Sequence, residues 1–421
     1  MLISIKIEKL FDIFDYDIEF KEEGITILTG PNGYGKTTVL KILDALATQN
    51  GPFFIGLLFK KIVLVFSDRN EITLEKEGND DVLINKSTRL NKESFNNILQ
   101  NILKDEPFLD RVSENRWIDR STENIYNTET LLQRLLPNFT PQLQKIGLPI
   151  FADVYFIREQ RLLRPIPARP KTRGLLSRYS DQEIDNFSNT IEEYAKELSE
   201  NIKETLAKSS QITQELDSSF PRRLFDQQLD ISEEEFNQRF NKVKEIQKAL
   251  SEYRLSDIKE DSHPTYKKEN AKALYVYIND AEQKLAVFSE LLEKLKTFTE
   301  ILNERRFTFK RIDISKKDGF KFSTDLGKPL ALGDLSSGEQ QEVVLLYELL
   351  FKVKPGTLVL IDEPELSLHV VWQKQFLDDL FKIIDLQKIR IVVATHSPQI
   401  INNHWDLTVD LEVLRDAATS R

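Results

Sequence analysis

The sequence predicts an α/β protein whose sheet-and-helix domain is interrupted by a helical arm. Three observations carry that expectation. Strand-like apolar runs, a glycine-rich turn and an amphipathic helix succeed one another within the first fifty residues. Near the other end, residues 357–361 and 391–394 have the continuous hydrophobicity of strands buried on both faces. Between these regions, apolar residues recur every three or four positions with charges between them.

Taken in order, Ile3, Ile5 and Ile7 alternate as one face of a strand, Tyr16, Ile18 and Phe20 as one face of another, and residues 25–28 form a buried run. That run feeds the glycine-rich turn, after which Val39, Leu40, Ile42, Leu43 and Leu46 fall at helical spacing. A strand pair is expected over 61–66 and 71–75; onward to 138, Asn, Ser, Lys and Glu dominate and no element stands out. Residues 154–157 are a further short strand. The segment 158–178 holds seven Arg or Lys, one Glu and three Pro, and the prolines exclude a regular helix. Helical rhythm runs over 183–216, with Pro221 expected to close it, and again over 274–302. Two such helices pairing antiparallel, about 33 residues each at 1.5 Å per residue, make a coiled-coil arm of about 50 Å. The plainer reading of the same arm is a solvated helical subdomain packed on its own chain. Strand patterns return over 307–314 and 319–323, then a polar turn, a helix, the apolar run 357–361, another helix and a last strand at 391–394. The expected division is 1–178, 179–306 and 307–421, the middle part being the inserted helices.

Composition narrows the chemistry. The chain has 421 residues, a formal charge of −10, no cysteine and four histidines. Thiol catalysis, zinc ribbons and iron–sulfur ligation are excluded, so a metal would have to sit on oxygens. The N-terminus interleaves charged with apolar residues, unlike a secretory signal. The most hydrophobic stretch, 52–66, is cut by Lys60 and Lys61 and is too short to span a bilayer. A cytoplasmic chain without membrane attachment is expected. Its acidity argues against nonspecific coating of nucleic acid, leaving 158–178 as a local basic patch.

Gly30-Pro31-Asn32-Gly33-Tyr34-Gly35-Lys36-Thr37-Thr38 satisfies G-x-x-x-x-G-K-[ST] between an expected strand and an expected helix, the context a phosphate-binding loop requires. Glycines let backbone N–H groups close around phosphate oxygens, Lys36 neutralises the β and γ phosphates, and the Thr37 hydroxyl can reach Mg²⁺. Asn32, Gly33, Gly35, Lys36, Thr37 and Thr38 are therefore the candidate ATP-binding set. Asp362 and Glu363 follow directly on the apolar run 357–361, where a phosphate site lies in an open α/β sheet. Asp362 would hold magnesium and Glu363 would orient the attacking water; alone, such an acidic strand end reads equally as a solvated turn. Phe11, Phe14 and Tyr16 could face adenine, though aromatic residues at strand spacing are more often core.

Two more segments choose among phosphate-loop families: Leu335-Ser336-Ser337-Gly338-Glu339-Gln340-Gln341 before a helix, and Thr395-His396-Ser397 after the strand 391–394. With these the chain resembles the ABC-type ATPases of the soluble branch that holds the structural-maintenance, RecF, Rad50 and OLD-like proteins. The resemblance implies an ABC-type head with a mixed sheet, interrupted by an antiparallel coiled-coil arm. It further implies a dimer or higher homo-oligomer in which Ser336, Ser337, Gly338 and Glu339 of one copy reach the γ-phosphate held by the other. By the same resemblance His396 is a switch histidine contacting the γ-phosphate, and Gln160 couples magnesium and water to the arm. Residues 365–369 take the place of the loop that runs along the partner subunit, with Val370 where the family commonly has proline.

Within that branch, FIREQRL at 156–162 and THSPQIINNHWDLTVDL at 395–411 look most like the PtuA-like ATPase subunit of Septu anti-phage systems, found also beside retrons. That likeness implies bacterial defence with a separate HNH-type nuclease as partner, and a reverse transcriptase or nucleic acid as further partners. The histidines His263, His369, His396 and His404 are scattered and form no HNH pattern, so cutting would fall to another chain. The alternatives are a RecF- or Rad50-like repair ATPase using the basic segment on phosphates, and a scaffold locked by ATP with negligible turnover.

Overall fold

The computed structural model describes residues 1–78, 81–91, 109–113, 116–120, 124–127, 153–158, 163–165, 187–255, 264–304, 307, 309–366, 368 and 370–419. The chain divides into two compact units, one of Met1–Arg161, Pro165–Phe187 and Val353–Arg421, the other of Leu162–Arg164 and Ser188–Lys352.

In the first unit, β1 (Leu2–Leu10) and β2 (Phe14–Glu19) pair antiparallel, and β3 (Ile25–Thr29) is buried along its length. α1 (Lys36–Ala47) buries Val39, Leu40, Ile42, Leu43 and Leu46, the residues its spacing selects. The hydrophobic stretch 52–66 is shared between α2 (Gly51–Gly56), with Pro52 in its first turn, and β4 (Lys61–Phe66). Ile3 departs from the expected face. Register slips between Leu2 and Ser4 where β1 meets β4, so Ser4 turns inward and Ile3 is left 42% exposed. β5 (Glu71–Glu77), β6 (Asp81–Ile84) and β7 (Thr88–Asn91) complete a six-stranded sheet in the order β2-β1-β4-β5-β6-β7. β8 (Leu109–Ser113), β9 (Arg116–Asp119) and β10 (Asn124–Asn127) form a separate antiparallel sheet.

The sheet that positions the site is wholly parallel. β11 (Val154–Ile157) is followed in the chain by the short β12 (Leu163–Pro165) and β13 (Phe187–Asn189), and by β14 (Lys310–Ser315), β15 (Gly319–Thr324) and β16 (Pro329–Leu330). β17 (Leu358–Asp362), β18 (Arg390–Ala394) and β19 (Thr408–Asp410) then join β11 and β3 in the order β11-β17-β18-β3-β19. The strand over 391–394 is thus not the last: β19 adds to the free edge of β3. Its three residues are half-buried, too short and too polar for a periodic signal.

The second unit revises the expected hairpin. Among its described residues stand four long helices: α3 (Thr190–Asp226), α4 (Glu233–Glu252), α5 (Ala271–Ala286) and α6 (Ser289–Glu304), with α5 packed on both α3 and α4. The single rhythm over 274–302 is two helices, and α4, capped by the Ser232 hydroxyl, lies where no helix was expected. α3 starts at Thr190 and runs through Pro221 instead of ending there. The proline removes one helical donor, that of the Asp217 carbonyl, and side chains bond the carbonyls just before it. Ser218 and Ser219 hydroxyls donate to the Glu215 carbonyl, each at 2.9 Å, and Arg223 Nη2 donates to the Leu216 carbonyl at 2.7 Å. Arg223 also forks onto the buried carboxylate of Asp280 in α5, Nη2 to Oδ2 at 2.7 Å.

The β14–β15 hairpin turn presses on the first turns of α3. The Ser199 hydroxyl donates to the carbonyls of Lys316 (2.9 Å) and Lys317 (3.1 Å). Gly319 has φ +70°, and a β-carbon there would lie 1.8 Å from the Ala195 carbonyl oxygen. Gly319→Ala is expected to destabilise the protein by about 3 kcal/mol or more, strain and overpacking acting together. Urea denaturation followed by helical circular dichroism checks this, and an unchanged midpoint would contradict the close approach.

Candidate nucleotide-binding site

The carboxyl ends of three neighbouring strands lie level: Leu28 of β3 sits opposite Ala394 of β18, and Ala394 opposite Asp362 of β17. Gly35 caps α1 with φ 81° and no side-chain bond, which leaves first-turn N–H groups available to an anion. A β-carbon on Gly35 would come 3.1 Å from Leu10 Cδ2, so the tight turn also needs the missing side chain. Lys36 is 5% exposed, and its ammonium donates to the carbonyls of Gly30 (2.8 Å) and Pro31 (3.2 Å). The Thr37 hydroxyl donates to Asp362 Oδ1 at 3.0 Å across 325 residues of sequence. Glu363 stands beside them with φ 42°, its N–H donating to the Ala394 carbonyl at 2.8 Å. This left-handed turn aims the Glu363 carboxylate at the phosphate loop. The two border one cleft of about 380 Å³, to which Phe11, Asn32, Gly33 and Thr38 also contribute.

The expected set Asn32, Gly33, Gly35, Lys36, Thr37, Thr38, Asp362 and Glu363 is therefore brought to one place. Of the three aromatic candidates, Phe14 and Tyr16 are core, while Phe11 is 37% exposed and lines the cleft. The Tyr16 hydroxyl, pushed well above its ordinary pKa by burial, donates to the Tyr34 carbonyl at 2.7 Å and braces the loop from below. A second opening, about 1050 Å³, is bordered by Asp17, Glu19, Glu22, Glu23 and Asp410 together with Lys21 and Arg390, so its carboxylates outnumber its basic side chains and disfavour a polyphosphate. Gln160 lies outside the described residues, as do His263 and His369.

Thr37 and Asp362 fit magnesium by donor chemistry: a hydroxyl and a carboxylate are hard oxygens, and Mg²⁺ is commonly completed by water and phosphate. Among the described residues no group of three His, Asp or Glu forms a metal site unaided, so a cation here would need phosphate oxygens to complete its shell.

His396, exposed at the end of β18, meets Glu363 at 3.9 Å and Glu365 at 3.1 Å, both through Nδ1. Glu365 is expected only as the start of the loop along a partner subunit, and its contact with His396 is new. Its spacing from Asp362 and Glu363 resembles an ordinary surface turn, and only the fold shows its side chain to be buried.

In the second unit, α7 (Ser337–Tyr347) opens with a reciprocal cap. The Ser336 hydroxyl accepts from the Glu339 N–H at 3.4 Å, and Glu339 Oε2 accepts from the Ser336 N–H at 2.8 Å. Ser336 and Ser337 are exposed and Gly338 half-buried. Lys310, which was unanticipated, grips both oxygens of buried Glu339 at 2.9 and 2.7 Å. Burial pushes the Glu339 carboxyl upward, but the Lys310 ammonium and the Ser336 donors outweigh it and hold it below its ordinary value of 4.5.

A phosphate loop, a hydroxyl–carboxylate pair suited to a divalent cation and a second carboxylate in the same cleft define a P-loop nucleotide-binding protein. The family described as "AAA domain, putative AbiEii toxin, Type IV TA system" matches residues 25–402, and the chain belongs to that family of P-loop ATPases. Over 61 residues it is 39% identical to the "Probable branched-chain amino acid transport ATP-binding protein LivF" of Archaeoglobus fulgidus, a match spanning 13% of this chain and 26% of that relative's length. Among solved structures it is similar to the Smc head domain with an extended coiled coil bound to the C-terminal domain of ScpA from Pyrococcus furiosus. The TM-score is 0.35 at 15% identity, covering 95% of this chain and 90% of that one. A SmcHead bound to the C-winged helix domain of ScpA gives a TM-score of 0.36 at 12% identity, covering 95% and 91%. No described helix is long and apolar enough to cross a membrane.

Because the folded Glu339 carboxyl titrates below its unfolded value, its contribution is present above about pH 4.3 and lost as pH falls through the folded value. Lys310→Met is therefore expected to cost about 2 kcal/mol at pH 7, and the gap from wild type to narrow as pH falls below about 4.3. Urea midpoints measured from pH 7 downward check it.

Proposed function

We propose that this chain binds and hydrolyses ATP as an ABC-type subunit whose nucleotide-gated dimer, or higher homo-oligomer, controls a partner. The observation that carries the reading is the Thr37–Asp362 hydrogen bond, which joins the phosphate loop to the acidic strand end with Glu363 beside it. Magnesium would sit at Thr37 and Asp362 and polarise the γ-phosphoryl group. Asn32, Gly33, Gly35 and Thr38 would cradle phosphate oxygens through the loop, and Lys36 would exchange carbonyls for phosphate oxygens without leaving its buried position. Glu363 would orient the attacking water, His396 would contact the γ-phosphate, and Gln160 would link magnesium and water to the inserted helices of 179–306. Ser336, Ser337, Gly338 and Glu339 of a second copy would close the site from above.

The finer placement, an anti-phage defence complex in which a separate HNH-type nuclease does the cutting, is supported by the sequence likeness over 156–162 and 395–411. The family's description, which names a type IV toxin–antitoxin system, accords with a chain that works with a partner. A reverse transcriptase or nucleic acid would be a further partner.

Lys36→Ala is expected to lose ATP binding by equilibrium dialysis. Glu363→Gln is expected to keep ATP, lower turnover at least about a hundredfold and shift the protein to a larger species in sedimentation with ATP and Mg²⁺. Equal turnover in wild type and Glu363→Gln would remove Glu363 from its assigned role.

A further inference from the structure

The first unit contains a buried carboxylate that the ATPase chemistry above does not use. Glu365 has a side chain only 6% exposed. Its Oε1 accepts from the Thr395 hydroxyl at 2.6 Å and from the His396 backbone N–H at 3.0 Å, and it lies 3.1 Å from the His396 imidazole Nδ1. Its Oε2 is buried without a hydrogen-bond partner. An orphaned buried carboxylate oxygen is costly, and a hydrophobic residue would fill the position at less expense, so its presence calls for a use.

We propose that Glu365 is a positioning residue for His396, holding the imidazole proton on Nδ1 and turning Nε2 toward the nucleotide cleft. The inference rests on the ATPase reading and adds a residue to it. An ionised carboxylate only accepts, so the Nδ1 contact requires Nδ1 to carry the hydrogen. With the adjacent amide and the Thr395 hydroxyl bound to the same oxygen, the segment after β18 is fixed to the segment after β17 at both backbone and ring. The imidazole therefore cannot turn over without breaking its bond to Glu365. Gln373 reinforces the frame: its amide donates to the Leu368 carbonyl at 3.0 Å and accepts from the Ser397 hydroxyl at 3.0 Å. Glu363 Oε1, 3.9 Å from Nδ1, is too far to take that hydrogen while Glu365 holds it. Glu363 is thereby left for water. When a γ-phosphate arrives, the ring offers Nε2 alone.

The test compares Glu365→Gln with wild type by two readouts. Nitrogen-15 spectra of the full chain without nucleotide report the imidazole directly. With four histidines in the sequence, His396→Gln assigns the signal by its loss. In wild type the His396 resonances are expected to show Nδ1 protonated, and in Glu365→Gln they are expected to move toward the unbiased mixture of tautomers. ATPase assays are expected to show kcat lowered at least about tenfold with KM for ATP changed less than about threefold. Unmoved His396 resonances in Glu365→Gln overturn the proposal, as does a kcat within twofold of wild type. Retained ATP binding in Lys36→Ala overturns the underlying reading instead, and the nitrogen-15 result stands apart from it because it involves no nucleotide. If Glu365→Gln does not fold, Thr395→Val removes one of the two hydrogen-bond donors to Oε1 and is expected to move the same resonances; no movement there overturns the proposal as well.

Discussion

The level register of three parallel strands is the constraint on which the site depends. Leu28, Ala394 and Asp362 are neighbours in the ladder, so the phosphate loop, His396 and the two carboxylates must all emerge from one edge of one sheet. A one-residue slip in a parallel pair would turn Asp362 to the opposite face and separate it from Thr37. Register is protected because every side chain of β3 and four of the five in β18 and in β17 are buried. Burying such side chains contributes about 1.5 to 3 kcal/mol each, so a slip that exposed even two would cost more than any single bond in the site returns. The core thus sets the chemistry, and the 3.0 Å bond from Thr37 to Asp362 is its readout.

What the sequence made legible follows from signal length. The phosphate loop was readable because a continuous nonapeptide needs no tertiary information, and Asp362 and Glu363 because a buried strand announces its own end. The helices near Val39 and Leu274 were legible as rhythm, but rhythm does not register a break: α5 and α6 share one pattern with a turn at 287–288 between them. Pro221 misled because proline in a helical rhythm usually marks an end, whereas this helix runs on through it to Arg223, which reaches back to the Leu216 carbonyl and across to Asp280. Ile3 misled because a bulge is set by the partner strand. The contacts of Glu365 and Lys310 were invisible for a common reason: each acts on a residue 29 to 31 positions away, and no local pattern marks a carboxylate that will be buried.

The two compact units solve the same problem in different ways, each presenting a helix N-terminus beside an ionisable side chain whose charge is controlled. In the first, Lys36 is buried yet satisfied by two backbone carbonyls, leaving one ammonium hydrogen free. A positive charge so held is available to a polyphosphate without the entropy cost of immobilising a long side chain. This matters in a chain of net charge −10, where the local field, and not the overall one, must attract an anion.

In the second unit the controlled charge is negative. Glu339 completes the cap of α7 by binding the Ser336 N–H, which leaves the first-turn amides of Ser337 and Gly338 without intrahelical acceptors. An anion offered to those amides would meet a carboxylate within one turn of the helix, and repulsion at that range would cancel much of the dipole's attraction. Lys310 removes the conflict by placing its ammonium between 2.7 and 2.9 Å from both Glu339 oxygens. The cap is then rigid and close to neutral, and its remaining amides keep their preference for an anion. In the proposed dimer this would let a serine–glycine turn that carries no positive side chain of its own stand over a γ-phosphate. The ammonium reaches the cap from β14, whose hairpin turn is seated on α3 by Ser199 and Gly319. α3 also packs on α7 directly, Tyr194 stacking on Tyr347 at 4.5 Å, so the helices, the strand pair and the cap are joined by contacts on both sides of the Lys310 bond.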